Sequence, residues 1–258
     1  MVYTAIDYKV EDNVATVTLN RPDLLNGMNA QMRAEIKDAF REAAKDARVV
    51  VLTGAGRAFC SGQDLGGAKD VAHIDLEGML RDEYEPMLRA IIESPIPTIA
   101  AVNGPAAGAG ANMALACDVV IATESAYFME AFALIGLLPD AGGTYFMPRQ
   151  MGLAKAMGAA LFADRISARQ ASDWGLIWEA VADDDFTAHV GRRAAALANG
   201  PTEGYRLIKK SLRASFENTL DDQLSLEAEL QGAAGRSHDF AEGVLAFLEK
   251  RKAKFEGR

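Results

Sequence analysis

One carboxylate, Asp140, stands between the apolar run Leu134-Ile135-Gly136-Leu137-Leu138-Pro139 and the flexible pair Gly142-Gly143. Desolvation penalises an ionised carboxyl, raises its pKa and poises it for proton transfer near neutral pH. Capping a helix that begins near Gly143 is the competing role, and a common one for Asp. A second segment, Asn103-Gly104-Pro105-Ala106-Ala107-Gly108-Ala109-Gly110-Ala111-Asn112, follows a buried strand and opens a helix. Free N–H groups and the positive dipole end of a first helical turn suit a developing anion. Gly104, Gly108 and Gly110 do not match GxGxxG, and Asp118 comes too early for a ribose contact. Tight helix–sheet packing through Ala and Gly also fits this segment. The third, Arg57-Ala58-Phe59-Cys60-Ser61-Gly62-Gln63-Asp64-Leu65, is a small-residue strand exit whose backbone can approach a ligand, although an ordinary loop has the same texture.

Other reactive side chains lack partners for chemistry. Ser61 has no GxSxG around it. His73, His189 and His238 are scattered and read as surface residues, while Met129, Met147 and Met151 read as core filling. Cys60 and Cys117 belong to no CxxC or Cys/His cluster, so reduced, partly buried thiols are expected and no metal site.

The elements that position these segments follow from pattern. Strands are expected over Tyr3 to Val10 and Val14 to Leu19, then a helix capped by Asn29 with Met32, Ile36, Phe40, Ala43 and Ala47 on one face. Short buried strands follow at Val49 to Leu52, Thr98 to Val102 and Val119 to Ala122. Helices are expected from Leu76 to Glu93 and from Ala109 to Ala116, and a strand over Tyr127 to Phe132. This alternation implies an α/β domain with parallel strands. From Thr187 through Phe255 helices dominate, with more apolar faces than one appendage can bury, so oligomerisation is expected.

The 258 residues are half hydrophobic and 24% charged, as in ordinary globular proteins. A net charge of −9 opposes binding to nucleic acid or to anionic membranes. The most apolar stretch, Pro97 to Ala122, is interrupted by Asn103, Asn112 and Asp118, and the start Met1 to Asn13 is no signal peptide. A soluble cytoplasmic protein is expected.

Together the three segments resemble the crotonase (enoyl-CoA hydratase/isomerase) superfamily, from the Asn20-Arg21-Pro22 turn to Phe247-Leu248-Glu249-Lys250-Arg251-Lys252. The resemblance implies a repeated ββα spiral core over residues 1–195 and a helical trimerisation segment over 196–258. It implies an acyl-CoA substrate, a homotrimer or hexamer, and no cofactor beyond the coenzyme A of the substrate. Two main-chain N–H groups, of Gln63 and of Ala109, would hold the thioester oxygen, flanked by Ser61, Gly62 and Gly108. Asp64 and Leu65 would meet adenine, and Arg21 and Lys250 the CoA phosphates, Lys250 from a neighbouring subunit. Family hydratases hold water between two glutamates, and here Asn112 and Phe132 occupy those positions. Glu130, two residues before Phe132, would share its face on a continuous strand. Asp140 falls where family isomerases place a lone catalytic carboxylate.

Within the superfamily, Ser61 to Leu65, Ala106 to Asn112, Gly136 to Thr144 and Ala171 to Trp178 are similar to the ring-1,2-epoxyphenylacetyl-CoA isomerases. That similarity implies oxepin-CoA formation together with 3,2-enoyl-CoA double-bond isomerisation. The rivals are a hydratase using Glu130 or Asp140, and a non-catalytic acyl-CoA- or RNA-binding relative. The acyl group is expected to depend on the stretch from Gly66 to Arg81.

Overall fold

Val49-Val50-Val51-Leu52 and Ile99-Ala100-Ala101-Val102 are apolar at every position, the pattern of strands covered on both faces. The computed structural model, which describes residues 2–64, 66 and 75–258, builds its sheet around them. The chain begins with β1 (Ile6–Glu11), β2 (Val14–Leu19), α1 (Ala30–Asp46) and β3 (Val49–Gly54). Next come α2 (Leu76–Met79), a π-helical turn (Leu80–Tyr84), α3 (Glu85–Ile92), β4 (Thr98–Val102), β5 (Ala106–Ala107), α4 (Ala109–Leu115), β6 (Val119–Thr123) and β7 (Tyr127–Met129). A 3-10 turn (Ala131–Ile135), α5 (Gly143–Met151), α6 (Leu153–Phe162), β8 (Ile166–Ser167), α7 (Ala168–Asp173) and β9 (Glu179–Val181) follow. Helices α8 (Phe186–Ala198), α9 (Thr202–Ala214), α10 (Leu220–Ala234) and α11 (His238–Leu248) end the chain.

The larger sheet runs β1-β2-β3-β4-β6-β9, antiparallel in its first pair and parallel thereafter. Its pleat sorts residues cleanly. Val49, Val51, Ile99, Ala101 and Ile121 face α8 through Phe186, Val190, Ala194 and Ala198. The alternate residues Val50, Leu52, Ala100, Val102 and Val120 join the main core with Met32, Ile36, Phe40, Met87 and Ile91. Helix α1 starts where its cap predicts, because the Asn29 side chain accepts the Met32 N–H at 2.9 Å. Glycine-containing loops leave the carboxyl ends of the neighbouring parallel strands β3 and β4, so topology alone brings them together.

Several sequence expectations are corrected. β1 starts at Ile6 and not Tyr3, because the Glu35 carboxylate takes up the Thr4, Ala5 and Ile6 N–H groups at 2.8, 2.8 and 3.1 Å. β7 stops at Met129, where its two-residue partner β5 ends, and the chain turns into the 3-10 segment. Glu130 and Phe132 therefore do not share a strand face. The expected helix from Leu76 to Glu93 contains the π-helical turn. The last helix ends at Leu248, seven residues before Phe255, and the tail folds back so that Glu256 and Gly257 donate to Asp239 at 2.7 and 2.8 Å. No helix among the described residues is long and apolar enough to cross a membrane.

Candidate active site

The loop after β3 is stitched to its neighbours before any ligand arrives. Asn103 accepts the Gly54 N–H at 3.0 Å and donates to Gly56 O at 3.1 Å. Asn26 donates to Ala55 O and Ala58 O, both at 2.9 Å. Ala107 donates to Cys60 O at 2.9 Å, and the Cys60 thiol donates to Asn26 O at 3.1 Å. This packing pushes the Cys60 thiol pKa up to about 12, because burial penalises the thiolate. Both cysteines are free and buried, more so than expected from sequence.

Gly62 O accepts the Met28 N–H at 2.8 Å, and Asp64 donates to Met28 O at 3.0 Å. In a trans peptide the N–H points opposite to the C=O. The Gln63 N–H therefore points away from Met28. Toward the other side lies the start of α4: a Cβ on Gly62, whose φ is +94°, would sit 3.5 Å from Ala109 N and 2.9 Å from Ala107 O. Ala109 is the first residue of α4, so its N–H has no partner within the helix. Among the described residues no acceptor takes up either the Gln63 or the Ala109 N–H. Two adjacent, preorganised donors of this kind stabilise a carbonyl oxygen that gains negative charge.

One helical turn beyond Ala109, Asn112 is wholly buried. Its amide donates to Asp140 O at 2.9 Å and to Glu130 Oε2 at 3.2 Å. It thus fastens the Asp140 loop to the helix that carries one donor, rather than lining an open cavity. The Asp140 side chain makes no cap bond to α5, whose N-cap is Gly142, so the capping role is set aside. Its Oδ1 is buried without a hydrogen-bond partner among the described residues. Desolvation raises the Asp140 pKa to about 6. Glu130, 3% exposed, is raised to about 7, chiefly by burial and further by the Asp140 charge, against the lowering effect of Asn112. Phe132 is buried, and a methyl group on Gly108 would touch its ring at 3.6 Å. An apolar ring therefore borders the donors at the position that the resemblance assigns to a second glutamate in hydratases.

The remaining expected residues divide. Arg21 pairs with Asp64 at 2.8 Å, both half-buried, so a residue expected at phosphate and one expected at adenine are joined. Ser61 is exposed, its hydroxyl donating to Leu24 O at 3.3 Å. Lys250 is exposed beyond the end of α11, and Leu65 and His73 lie outside the described residues. His189 is half-buried and bonded to Glu179 at 2.7 Å, unlike the free surface histidine expected, whereas His238 is exposed. Met147 and Met151 are buried as expected, and Met129 is half-buried. Among the described residues no cluster of His, Cys, Asp or Glu could hold a metal.

Sequence reasoning missed Arg33 and Tyr84, both buried beside Gln63. Gln63 Oε1 accepts from Arg33 Nη1 at 2.6 Å and from Tyr84 OH at 2.7 Å. A signal for Arg33 existed: it falls on the i, i+3, i+7 stripe of Ile36 and Phe40, where a charge is out of place.

A family model described as enoyl-CoA hydratase/isomerase matches residues 9–258. A protein named probable enoyl-CoA hydratase in Rhodobacter capsulatus is 56% identical over 259 residues, covering 100% of both chains. The 1,2-epoxyphenylacetyl-CoA isomerase of Escherichia coli is 45% identical over 96% of this chain and 97% of its own. A crystal structure of enoyl-CoA hydratase subunit I from Geobacillus kaustophilus matches with a TM-score of 0.92 at 33% identity, over 99% of each chain. With its fold and nearly its whole length matched, the chain belongs to the enoyl-CoA hydratase/isomerase family, the crotonases.

Proposed function

We propose that this protein is an acyl-CoA isomerase. Its reactions are conversion of 2-(1,2-epoxy-1,2-dihydrophenyl)acetyl-CoA to oxepin-CoA and shift of a 3,4 double bond to the 2,3 position. The observation that carries this reading is Asp140: a desolvated carboxylate with an unpartnered oxygen, fastened through Asn112 to the helix that presents the Ala109 N–H. Ionised Asp140 takes the C2 proton of a 3-enoyl thioester. The electron pair moves onto the thioester oxygen, held by the Gln63 and Ala109 N–H groups. Asp140 then returns the proton at C4, and the double bond comes to rest between C2 and C3. No atom is gained or lost, so one shuttling carboxylate suffices. The 45% identical Escherichia coli isomerase supports the ring-epoxide substrate.

Water addition is the second reading, favoured by the name of the 56% identical Rhodobacter capsulatus relative. Asn112 and the buried Phe132 ring argue against it, and Glu130 is buried and bonded to the Asn112 amide. Parallel assays with a 3-enoyl-CoA, the ring epoxide and crotonyl-CoA test the choice. Turnover of the first two with negligible hydration is expected. Crotonyl-CoA hydration at the rate of ordinary hydratases would overturn the isomerase reading. The same reading includes assembly as a homotrimer or hexamer.

A further inference from the structure

We propose that Arg33 and Tyr84 are positioning residues for this reaction: by gripping the Gln63 side chain from α1 and from the π-helical turn, they aim the Gln63 main-chain N–H at the thioester oxygen. The inference rests on the reading of Gln63 and Ala109 as oxyanion donors, and assigns the residues that fix the Gln63 donor in place.

The grip is complete. Arg33 is 2% exposed, and its guanidinium lies 4.6 Å from the centre of the Tyr84 ring. It donates to Gln63 Oε1 at 2.6 Å, to Met28 O at 3.1 Å and through Nε to Glu83 Oε2 at 3.0 Å. Met28 is the residue whose N–H and C=O hold Gly62 and Asp64. One guanidinium therefore secures Gln63 by its side chain and, through Met28, by the backbone on either side of it. Tyr84 OH supplies the second donor to Gln63 Oε1 at 2.7 Å, and burial of the phenol keeps it protonated well above neutral pH. Both donors converge on one oxygen, so Gln63 Nε2 is left to bond Asp64 O at 3.1 Å.

The π-helical turn gives Tyr84 its place. Widening one turn rotates the following residues relative to a regular helix, and such insertions recur at functional sites. Arg33 is paired with the partly exposed Glu83, and an ion pair with one member buried is costly to desolvate. A purely structural role would be met by an apolar contact between α1 and α3. The convergence on Gln63 Oε1 is what a positioning role requires, because a donor displaced by a fraction of an ångström loses much of its effect on a developing oxyanion.

The test is a double-mutant cycle with Tyr84→Phe, Gln63→Met and both together, read as kcat and KM on a 3-enoyl-CoA. A second readout is the infrared carbonyl band of a bound acyl-CoA carrying 13C at the thioester carbon. Tyr84→Phe should lower kcat about tenfold, the worth of one neutral hydrogen bond, and Gln63→Met, which removes the bonds from both Arg33 and Tyr84, should lower it further, with KM nearly unchanged in each. Their carbonyl bands should move back toward that of the free thioester. Because both act through one contact, the double variant should be no slower than the slower single one. Arg33→Lys, unable to reach Gln63 and Met28 together, should behave like Tyr84→Phe in the same cycle. Multiplicative losses, or a Tyr84→Phe protein that loses melting temperature but keeps kcat and the wild-type band, would overturn the proposal. If Tyr84→Phe does not fold, Gln63→Met at its half-exposed position carries the test, and unchanged kcat there overturns it as well. A wild-type band identical to that of free thioester would instead remove the oxyanion reading itself.

Discussion

Asp140 has a buried Oδ1 with no hydrogen-bond partner among the described residues, which separates its contribution to stability from its contribution to chemistry. Its folded pKa stands at about 6 against an ordinary 3.8. A carboxyl raised on folding favours the native state only while protonated; that contribution is complete below about pH 4 and is lost as pH rises through about 6. Asp140→Asn should therefore melt at or slightly above the wild-type temperature at pH 7, with the difference vanishing near pH 4. Isomerisation should fall about 10²- to 10⁴-fold while acyl-CoA affinity holds. A mutant that is folded, binds the thioester and isomerises at the wild-type rate removes Asp140 from the mechanism. The base must be ionised, so wild-type kcat/KM should climb through about pH 6. Glu130 is raised into the same range by burial and by the Asp140 charge, so the two carboxyls should share the rise and Glu130→Gln should sharpen it to a single step. A profile unchanged by Glu130→Gln would mean that the two do not interact.

Helix α4 and the loop after β3 meet through glycine. A Cβ on Gly110 would lie 2.6 Å from Cys60 O and 2.7 Å from Cys60 Sγ, a clash that only separation of helix and loop relieves. Gly110→Ala should cost about 1–3 kcal/mol in denaturant unfolding and, by parting the two N–H donors, reduce turnover in the fraction that remains folded. Full activity per folded molecule would mean that the spacing of the donors is not critical. Elements set by local rules were legible beforehand: Asn29 and the Met32-Ile36-Phe40 stripe gave α1, and unbroken apolar runs gave β3 and β4. The π-helical turn was not, because Leu-Arg-Asp-Glu-Tyr carries no composition that distinguishes it from ordinary helix. The 3-10 turn after β7 was missed because Tyr-Phe-Met-Glu-Ala-Phe reads as a strand, and only the shortness of β5 ends it. At the site, the segments bearing Gln63, Ala109 and Asp140 were legible. The Arg33 grip lies 30 residues from its target and depends on tertiary approach.

Over the whole chain, large side chains remain uncovered on the last three helices, among them Leu212, Leu220, Leu224, Phe240, Phe247 and Leu248, and Phe216 is exposed in the turn between α9 and α10. So much exposed apolar surface on one segment calls for a protein partner. Light scattering at micromolar concentration should return three or six times the chain mass, and a monomer mass would refute the assembly we propose. Helix α9 is meanwhile tied to the sheet by Lys209 and Arg213, both paired with Asp118 at 2.7 Å. Under that helix lies Cys117, whose thiol pKa burial also pushes up to about 12. Since burial shields both thiols, alkylation under native conditions should proceed mainly through transient openings, and the two labelling rates keep separate time for two parts of the molecule. Cys60 counts partings of the loop from α4; Cys117 counts liftings of α9. An acyl-CoA that bridges the loop and α4 should slow the Cys60 clock in proportion to its occupancy while the Cys117 clock runs on unchanged.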